Sequence, residues 1–464
     1  MLASDGVASG RMAELDQVFK AYDIRGVVPD QLDAELARKV GAAFARFAKA
    51  DRVLVGRDMR PSGAELAGAF TEGVTSQGVD VVLLGMVSTD ELYYASGALG
   101  SPGAMFTASH NPARYNGIKL CLAGAEPVGV ESGLAEIRAT VERGELPVVP
   151  EARRGKVSEQ DVLASYAEKV RSFVDMGALR PLKVVADVAN GMGGLVVPAV
   201  FAGLPFQLEV LYPELDGNFP NHPADPIQPA NLRDLQARIL ASGADVGLAF
   251  DGDADRCFLV DDKAQPLSGS TTTAIVAKAM LQKYPGSTVL YNLICSKAVP
   301  EVIKENGGVP VKTRVGHSFI KRIMAETGAV FGGEHSGHYY FRDNYRADSG
   351  CIAAVVALEV ICKAGVALSE LRKPFERYAA SGEINTEVQD PAVTVEEVAR
   401  HYAGTYPGAK LDYMDGVTVD FGEWWFNVRP SNTEPLVRLN VEAPDRASCD
   451  RYTGEVLACI KEHA

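Results

Sequence analysis

Cysteine is scarce and scattered. The seven thiols (Cys121, Cys257, Cys295, Cys351, Cys362, Cys449 and Cys459) form no CxxC pair. That excludes the usual zinc spacings and argues against a disulfide framework, leaving reduced thiols. Basic residues are in deficit, with 46 Lys and Arg against 60 Asp and Glu and a net charge of −14. A surface of that sign does not bind nucleic acid or anionic membranes broadly. No apolar run approaches the ~20 residues that span a bilayer. Residues 1–11 have neither the basic nor the apolar region of a signal peptide, and read as a short disordered extension. Together these absences predict a cytoplasmic protein with no nucleic-acid and no membrane partner. Low-complexity segments and short-period repeats are also missing.

What is present is ordinary globular material, 47% hydrophobic and 23% charged. A chain of 464 residues exceeds what one core serves and implies roughly three or four domains. The first part alternates strand and helix signals. Residues 52–56 and 79–85 are β-rich, with a helix over 63–75 between them and Ser62 as its N-cap. Residues 33–50 have helical spacing. Later units run 182–187, 231–241 and 245–250, then 287–293, 309–313, 319–326 and 351–363. Strands alternating with helices predict doubly wound, mainly parallel α/β sheets. From about residue 384 the pattern changes to hairpin-like strands around Asp415-Gly416 and 424–428, an alternating strand over 437–442 and a closing helix over 446–461. This is a smaller α+β domain. Boundaries fall near 145–156, 262–265 and 374–381.

Four polar motifs carry candidate chemistry. Thr107-Ala108-Ser109-His110-Asn111-Pro112 follows a short apolar segment, so Ser109 stands at a strand's end, where α/β folds bind ligands. A serine there can act as nucleophile or phosphoryl carrier; an ordinary Asx-type turn is the bland alternative. Asp251-Gly252-Asp253-Ala254-Asp255-Arg256 follows an apolar strand. Three carboxylates so close need a cation, and oxygen ligands point to Mg²⁺ or another hard divalent ion. An EF-hand reading fails, because Arg256 and Asp262 stand where Gly and Glu are required. A solvated acidic loop remains open. Gly332-Gly333-Glu334-His335-Ser336-Gly337-His338 can approach a sugar and bond vicinal hydroxyls, or form a polar turn. Arg429-Pro430-Ser431-Asn432-Thr433-Glu434-Pro435, flanked by Arg438 on the polar face of its strand, suits a phosphate dianion, or is an Asx/ST turn with solvated arginines. Lesser features agree: Tyr22 and Arg25 in a turn, Lys119 ten residues after Ser109, and His317 just before a helix.

In their order along the chain these motifs resemble the α-D-phosphohexomutase family, of the phosphomannomutase/phosphoglucomutase type. The resemblance implies three related α/β domains and a smaller C-terminal phosphate-binding domain around a central cleft, over residues 12–158, 159–263, 264–376 and 377–464. It implies reversible interconversion of hexose 1-phosphates and 6-phosphates, mannose and also glucose, through a phosphoserine and a 1,6-bisphosphate. Ser109 would carry the phosphoryl group. Asp251, Asp253 and Asp255 would hold Mg²⁺, completed by an oxygen on Ser109. Glu334 and Ser336 would bind the sugar O3 and O4. Arg429, Ser431, Asn432 and Thr433 would hold the distal phosphate, with Tyr22 and Arg438 also contacting substrate. Arg25, His110, Lys119, Arg256, His317 and His338 would surround the reacting groups, with Lys119 and His317 the candidates for proton transfer. Hexose 1,6-bisphosphate would be an activator, hexose phosphates the only partners, and the protein a monomer or weak homodimer. Asn432 and Thr107 match mannose and dual-specificity members better than phosphoglucosamine mutases. Ile294 departs from the cleft lysine of some dual-specificity members, with Lys297 as a possible substitute. Two rivals remain: a haloacid-dehalogenase-type phosphotransferase with Asp251 as nucleophile, and a sugar-phosphate-binding protein without catalysis.

Overall fold

The computed structural model describes residues 15–144, 146–431 and 435–463, with only the backbone at His317. Residues 1–11, Asn432, Thr433 and the His317 side chain therefore lie outside the description.

Four sheets follow one another along the chain. The first has seven strands: β1 (Ile24–Val27), β2 (Arg52–Arg57), β3 (Asp80–Met86), β4 (Gly103–Phe106), β5 (Tyr115–Leu122), β6 (Glu126–Pro127) and β7 (Val157–Glu159). Their order is β1-β5-β4-β2-β3-β7, with β6 beside β5. The second is built from β8 (Lys183–Asp187), β9 (Gln207–Leu211), β10 (Val246–Phe250) and β11 (Cys257–Val260), in the order β11-β10-β8-β9. The third contains β12 (Thr288–Asn292), β13 (Val309–Thr313), β14 (Phe331–Gly333) and β15 (Tyr339–Phe341), in the order β13-β12-β14-β15. The fourth, entirely antiparallel, holds β16 (Ala379–Ala380), β17 (Ile384–Glu387), β18 (Lys410–Asp412), β19 (Val417–Asp420), β20 (Trp425–Pro430) and β21 (Leu436–Ala443).

The α/β class expected from alternating patterns is present, but the sheets are mixed. In each of the first three, a parallel set ends in a strand that turns back: β4 into antiparallel β5, β10 into β11, and β14 into β15. The apolar runs Gly103–Phe106, Val246–Phe250 and Phe331–Gly333 are wholly buried, as strands covered on both faces must be. Each motif loop is thus the tip of a hairpin, and the clamp motif joins β20 to β21 in the same way.

The second and third units share one apolar core, which includes Val184, Leu248, Ile275 and Val355. The first and fourth units have their own cores. The third unit's helix Gly350–Ala364 is apolar nearly all round and correspondingly buried, and is capped by Ser349, whose hydroxyl accepts from the Ile352 N–H. Ser62 does not cap the helix Gly63–Thr75; its hydroxyl accepts from Asn116 Nδ2 instead. Among the described residues no single helix is long and apolar enough to cross a membrane. All seven cysteines are buried and free.

Candidate active site

Ser109 lies three residues beyond β4 in the left-handed backbone region, at φ 51°. A non-glycine residue held there is strained and needs a surrounding that fixes it. That surrounding is Arg60, a buried residue the sequence reading did not single out. Its guanidinium donates to the carbonyls of Ser109 (2.9 Å), Asn111 (2.6 Å), Pro112 (2.9 Å) and Tyr115 (2.9 Å), and its Nε to Asp58 Oδ2 (3.1 Å). From the far side Gly252 presses on the turn so closely that a Cβ there would sit 2.4 Å from the Ser109 carbonyl oxygen. The Ser109 N–H donates to Thr107 Oγ1 at 2.9 Å.

The Ser109 hydroxyl donates to Asp251 Oδ2 at 2.7 Å, bringing two motifs 142 residues apart into contact. Arg256 binds the same carboxylate through Nε (2.8 Å) and reaches Ser109 Oγ (3.3 Å) and His110 Nδ1 (2.6 Å) through Nη2. Receiving that donor requires His110 Nδ1 to be unprotonated, and burial, reinforced by Arg256 and Arg25, holds its pKa well below the usual histidine value. Arg25 is on strand β1 and not in a turn; it donates to Asn111 Oδ1 (2.7 Å) and pairs with Asp23 (2.5 Å).

The three aspartates converge, with one oxygen of each lying within 4.8 Å of the others. Their repulsion is offset here by side chains, since Lys119 Nζ binds Asp253 Oδ2 and Asp255 Oδ2, both at 2.8 Å, while Arg256 holds Asp251. Thr89 Oγ1 adds a bond to Asp253 Oδ2 at 2.6 Å. Burial, with the charges of Asp253 and Asp255, pushes Asp251 up to about 7 against the pull of Arg256. Burial also acts to raise Asp253, but Lys119 and Thr89 overcome it and hold that carboxyl well below the usual range. Burial works against the Lys119 ammonium too, yet Asp253 and Asp255 keep it firmly charged. Asp253 Oδ1 and Asp255 Oδ1 are buried with no hydrogen-bond partner among the described residues. Orphaned carboxylate oxygens beside a third carboxylate are what a hard divalent cation requires.

The Glu334 loop docks onto this centre through a bridge between Arg256 and His338. Glu334 is buried; its Oε1 accepts from the Gly316 N–H (3.0 Å) and its Oε2 from Ser336 Oγ and Tyr340 OH (both 3.3 Å). Gly316 places Glu334 beside the backbone that leads into the helix His317–Thr327. Tyr22 donates to the Val315 carbonyl at 3.2 Å, so the first and third units meet at this turn. His338 Nδ1 is 3.0 Å from Asp348 Oδ2 and 3.8 Å from Asp255 Oδ1. Burial works to lower its pKa, but Asp255 and Asp348 win and raise it. Asp348 in turn pairs with buried Lys321 at 3.2 Å, whose ammonium lies 3.5 Å from the Tyr93 ring centre.

In the fourth unit Arg429 and Arg438 are direct cross-strand partners. Arg438, read from the sequence as available on the polar face of its strand, faces Glu383, as does Arg429. The Ser431 N–H donates to the Leu436 carbonyl at 2.9 Å, closing the turn. Arg429 adds to the effect of burial in lowering the His335 pKa while Glu383 opposes it, so the Arg429 turn and the Glu334 loop are electrostatic neighbours. The ammonium of Lys297 is bound to Asp420 Oδ1 and the Gly422 carbonyl, both at 2.7 Å. Ile294 lines a cleft of about 290 Å³ with Ser270, His335 and Asn440.

Sequence reasoning missed a second hub. Buried Asp90 accepts from Ser349 Oγ (2.7 Å) and from the hydroxyls of Ser88 and Tyr166. These side chains belong to three units, and the N-terminus of the helix Thr89–Leu99 carries both Asp90 and the Thr89 that bonds Asp253.

Comparison with known proteins agrees with this layout. Residues 16–147, 164–265 and 268–378 match the models for phosphoglucomutase/phosphomannomutase alpha/beta/alpha domains I, II and III, and residues 383–458 match the C-terminal domain of the same family. The chain is 38% identical to a phosphomannomutase of Salmonella montevideo over 450 residues, covering 95% of this chain and 98% of that one. It is 40% identical to a protein named phosphohexose mutases from Xanthomonas campestris pv. campestris over 442 residues, 94% of this chain and 98% of the relative. A crystal structure of a phosphoglucomutase/phosphomannomutase family protein from Burkholderia thailandensis superposes with a TM-score of 0.86 at 33% identity, over 97% of this chain and 98% of that one.

Proposed function

This chain belongs to the phosphoglucomutase/phosphomannomutase family, and we propose that its chemistry passes one phosphoryl group between Ser109 and either end of a hexose phosphate. The protein is an enzyme, a phosphohexomutase that interconverts hexose 1-phosphates and hexose 6-phosphates. The observation that carries the mechanism is the bond from Ser109 to Asp251 at the edge of the three-aspartate cluster. Asp251, Asp253 and Asp255 are the residues that would hold the metal, and their oxygen-only donor set suits Mg²⁺. Mg²⁺ bound there supplies positive charge beside the phosphoryl oxygens.

The residues divide the remaining work. Phosphorylated Ser109 loses its phosphorus–oxygen bond as the sugar hydroxyl forms a new one. Arg256, 3.3 Å from Ser109 Oγ, faces the oxygen on which charge collects. His317, at the start of the helix His317–Thr327, is the candidate to take the hydroxyl proton, and His338, with Nδ1 3.0 Å from Asp348 Oδ2, stands beside the reacting groups. Lys119, held charged, returns a proton to Ser109 Oγ when the serine is left free. The transfer yields a hexose 1,6-bisphosphate, which turns over and gives its other phosphate to Ser109; free bisphosphate reloads an empty serine. Glu334 and Ser336 read vicinal hydroxyls that look alike from either direction, and Arg429, Arg438 and Ser431 hold whichever phosphate is not reacting. A site that reads O3 and O4 accepts mannose and glucose, which differ at C2.

The test is Ser109→Ala. With mannose 1-phosphate, Mg²⁺ and a trace of bisphosphate, turnover should collapse while mannose 6-phosphate still binds. Unchanged turnover, or phosphate found on Asp251 in place of Ser109 by peptide mass spectrometry, would refute the phosphoserine role. In the wild type, kcat/KM for mannose 1-phosphate and glucose 1-phosphate should agree within about tenfold, as expected for contacts that ignore C2.

A further inference from the structure

Antiparallel pairing of β20 with β21 sets Arg429 directly opposite Arg438. Like charges at facing positions repel, and the cost grows as they leave water. Arg429 is only 5% exposed, so the pair needs an anion beside it. That anion is Glu383: its Oε2 accepts from Arg429 Nη2, and its Oε1 lies 3.6 Å from Arg438 Nη1. The rest of Arg429 is fixed by Asn440 Oδ1 at 2.9 Å and Asn427 Oδ1 at 3.4 Å. Arg438 Nε is buried and donates to nothing among the described residues. The site therefore has a rigid cation, a second cation with a spare donor, and one carboxylate in a place suited to a phosphate. Glu383 keeps 31% of its side-chain surface exposed, so it can swing into solvent without unpacking a core.

Glu383 follows Gly382, at φ 72°, and lies between β16 and β17, near the start of the fourth unit. Just upstream Arg377 grips Glu301 and Glu305 of the third unit's helix Ala298–Glu305. Glu383 thus lies six residues beyond a contact that ties this stretch of chain to the third unit.

We propose that Glu383 is a resident stand-in for the substrate phosphate, holding Arg429 and Arg438 when the clamp is empty and yielding them to a phosphate monoester dianion. The inference rests on the phosphohexomutase reading, and it explains how a bisphosphate can be held firmly and still be let go. Release of a dianion from two arginines in a partly buried site leaves two unpaired cations. A carboxylate that returns to them lowers that cost, so Glu383 trades affinity for speed of release. The clamp's ligand class is the phosphate group alone, whichever sugar carries it.

The test uses the full-length enzyme with Glu383→Gln, Glu383→Ala and Glu383→Asp. Calorimetry with mannose 6-phosphate, and separately with inorganic phosphate, should show E383Q and E383A binding about 3–10-fold tighter than wild type, a gain of up to roughly one charge-assisted contact. KM for mannose 1-phosphate should fall with it and kcat should fall too, because release is slowed. E383D, which keeps the charge on a shorter side chain, should lie between wild type and E383Q. A carboxylate that merely props up Arg429 gives the opposite sign: KM rises and binding weakens in E383Q. That result, or unchanged affinity in E383Q, overturns the proposal. If E383A does not fold, the contrast between E383Q and E383D decides alone. Wild type that neither binds nor turns over hexose phosphates would sink the underlying function; active wild type with no tightening in E383Q sinks this inference only.

Discussion

Replacing Arg60 by methionine tests whether the Ser109 turn is held in place from behind. The guanidinium is almost entirely inaccessible, is paired with buried Asp58, and binds four carbonyls of the segment that carries Ser109. Phe219 of the second unit covers it, with the guanidinium carbon 5.3 Å from the ring centre. Methionine fills most of the volume but leaves Asp58 buried and uncompensated, which costs about 3–5 kcal/mol. Each carbonyl left without a donor adds on the order of 1 kcal/mol where water cannot reach it. The terms overlap, so a loss of about 4 kcal/mol in the first unit is expected. In differential scanning calorimetry that is a fall of roughly 10 °C in the transition of that unit, given about 2–4 °C per kcal/mol. Burial already pushes the Asp58 carboxyl up, so Asp58→Asn in the same chain should recover part of the loss. Freed of its four anchors, Ser109 can leave its left-handed conformation, and a displacement near 1 Å lowers kcat/KM by about 100-fold. R60M with wild-type kcat/KM and an unchanged calorimetric profile would show that Gly252 and Thr107 hold the turn without Arg60.

Two further outcomes follow from the same geometry. Gly252→Ala puts a methyl 2.4 Å from the Ser109 carbonyl oxygen and should lower kcat/KM by about 100-fold, whereas Gly454→Ala, on a helix with nothing within 4 Å, should leave turnover alone and stabilise by up to ~1 kcal/mol; equal activity in both would refute the contact. Asp90 is pushed by burial from 3.8 to about 7. Between those values the unfolded chain ionises while the folded one stays protonated, so this group's stabilisation is full at acid pH, declines as pH rises, and is gone above about 7. The unfolding free energy of wild type relative to Asp90→Asn should therefore fall by about 2–3 kcal/mol from pH 5 to 7 and then level off; a difference that grows with pH contradicts the assignment.

Much of the site was legible because its chemistry is written in contiguous runs. Ser109, the three aspartates, Glu334 and the Arg429 turn each follow an apolar strand, and the fold does bring Ser109, Asp251 and Arg256 together. Arg60 was missed although its signal is of the same kind, since Asp58-Met59-Arg60 follows the apolar strand Arg52–Arg57. It acts through backbone carbonyls, which leave no trace in side-chain pattern. Asp90, Tyr166 and Ser349 could not be found by any local rule, because Asp90 and Ser349 are separated by 259 positions. The hairpin setting of the first three loops was also hidden. Their return strands begin with Tyr115, Cys257 and Tyr339, run for as few as three residues, and carry no alternation that marks an antiparallel partner. Lys119 was found as a neighbour of Ser109 by numbering, yet its contacts in the structure are to Asp253 and Asp255.

Electrostatics explains why these parts occur together. Each of the two anion-handling places is balanced before any ligand arrives. At the first, three carboxylates face Lys119 and Arg256; at the second, Arg429 and Arg438 face Glu383. A divalent cation and a phosphoserine dianion add opposite and nearly equal charge to the first place, so loading it leaves the local sum almost unchanged. A phosphate arriving at the second place can displace a carboxylate already there. In a buried setting this matters more than the strength of any single contact, because an uncompensated charge out of water costs several kcal/mol. A catalyst that must release a bisphosphate, with a dianion at each end, and rebind it reversed meets that cost in every cycle unless resident groups take over the abandoned partners. Lys119 at the aspartates and Glu383 at the arginines are placed to do this, one for each sign of charge.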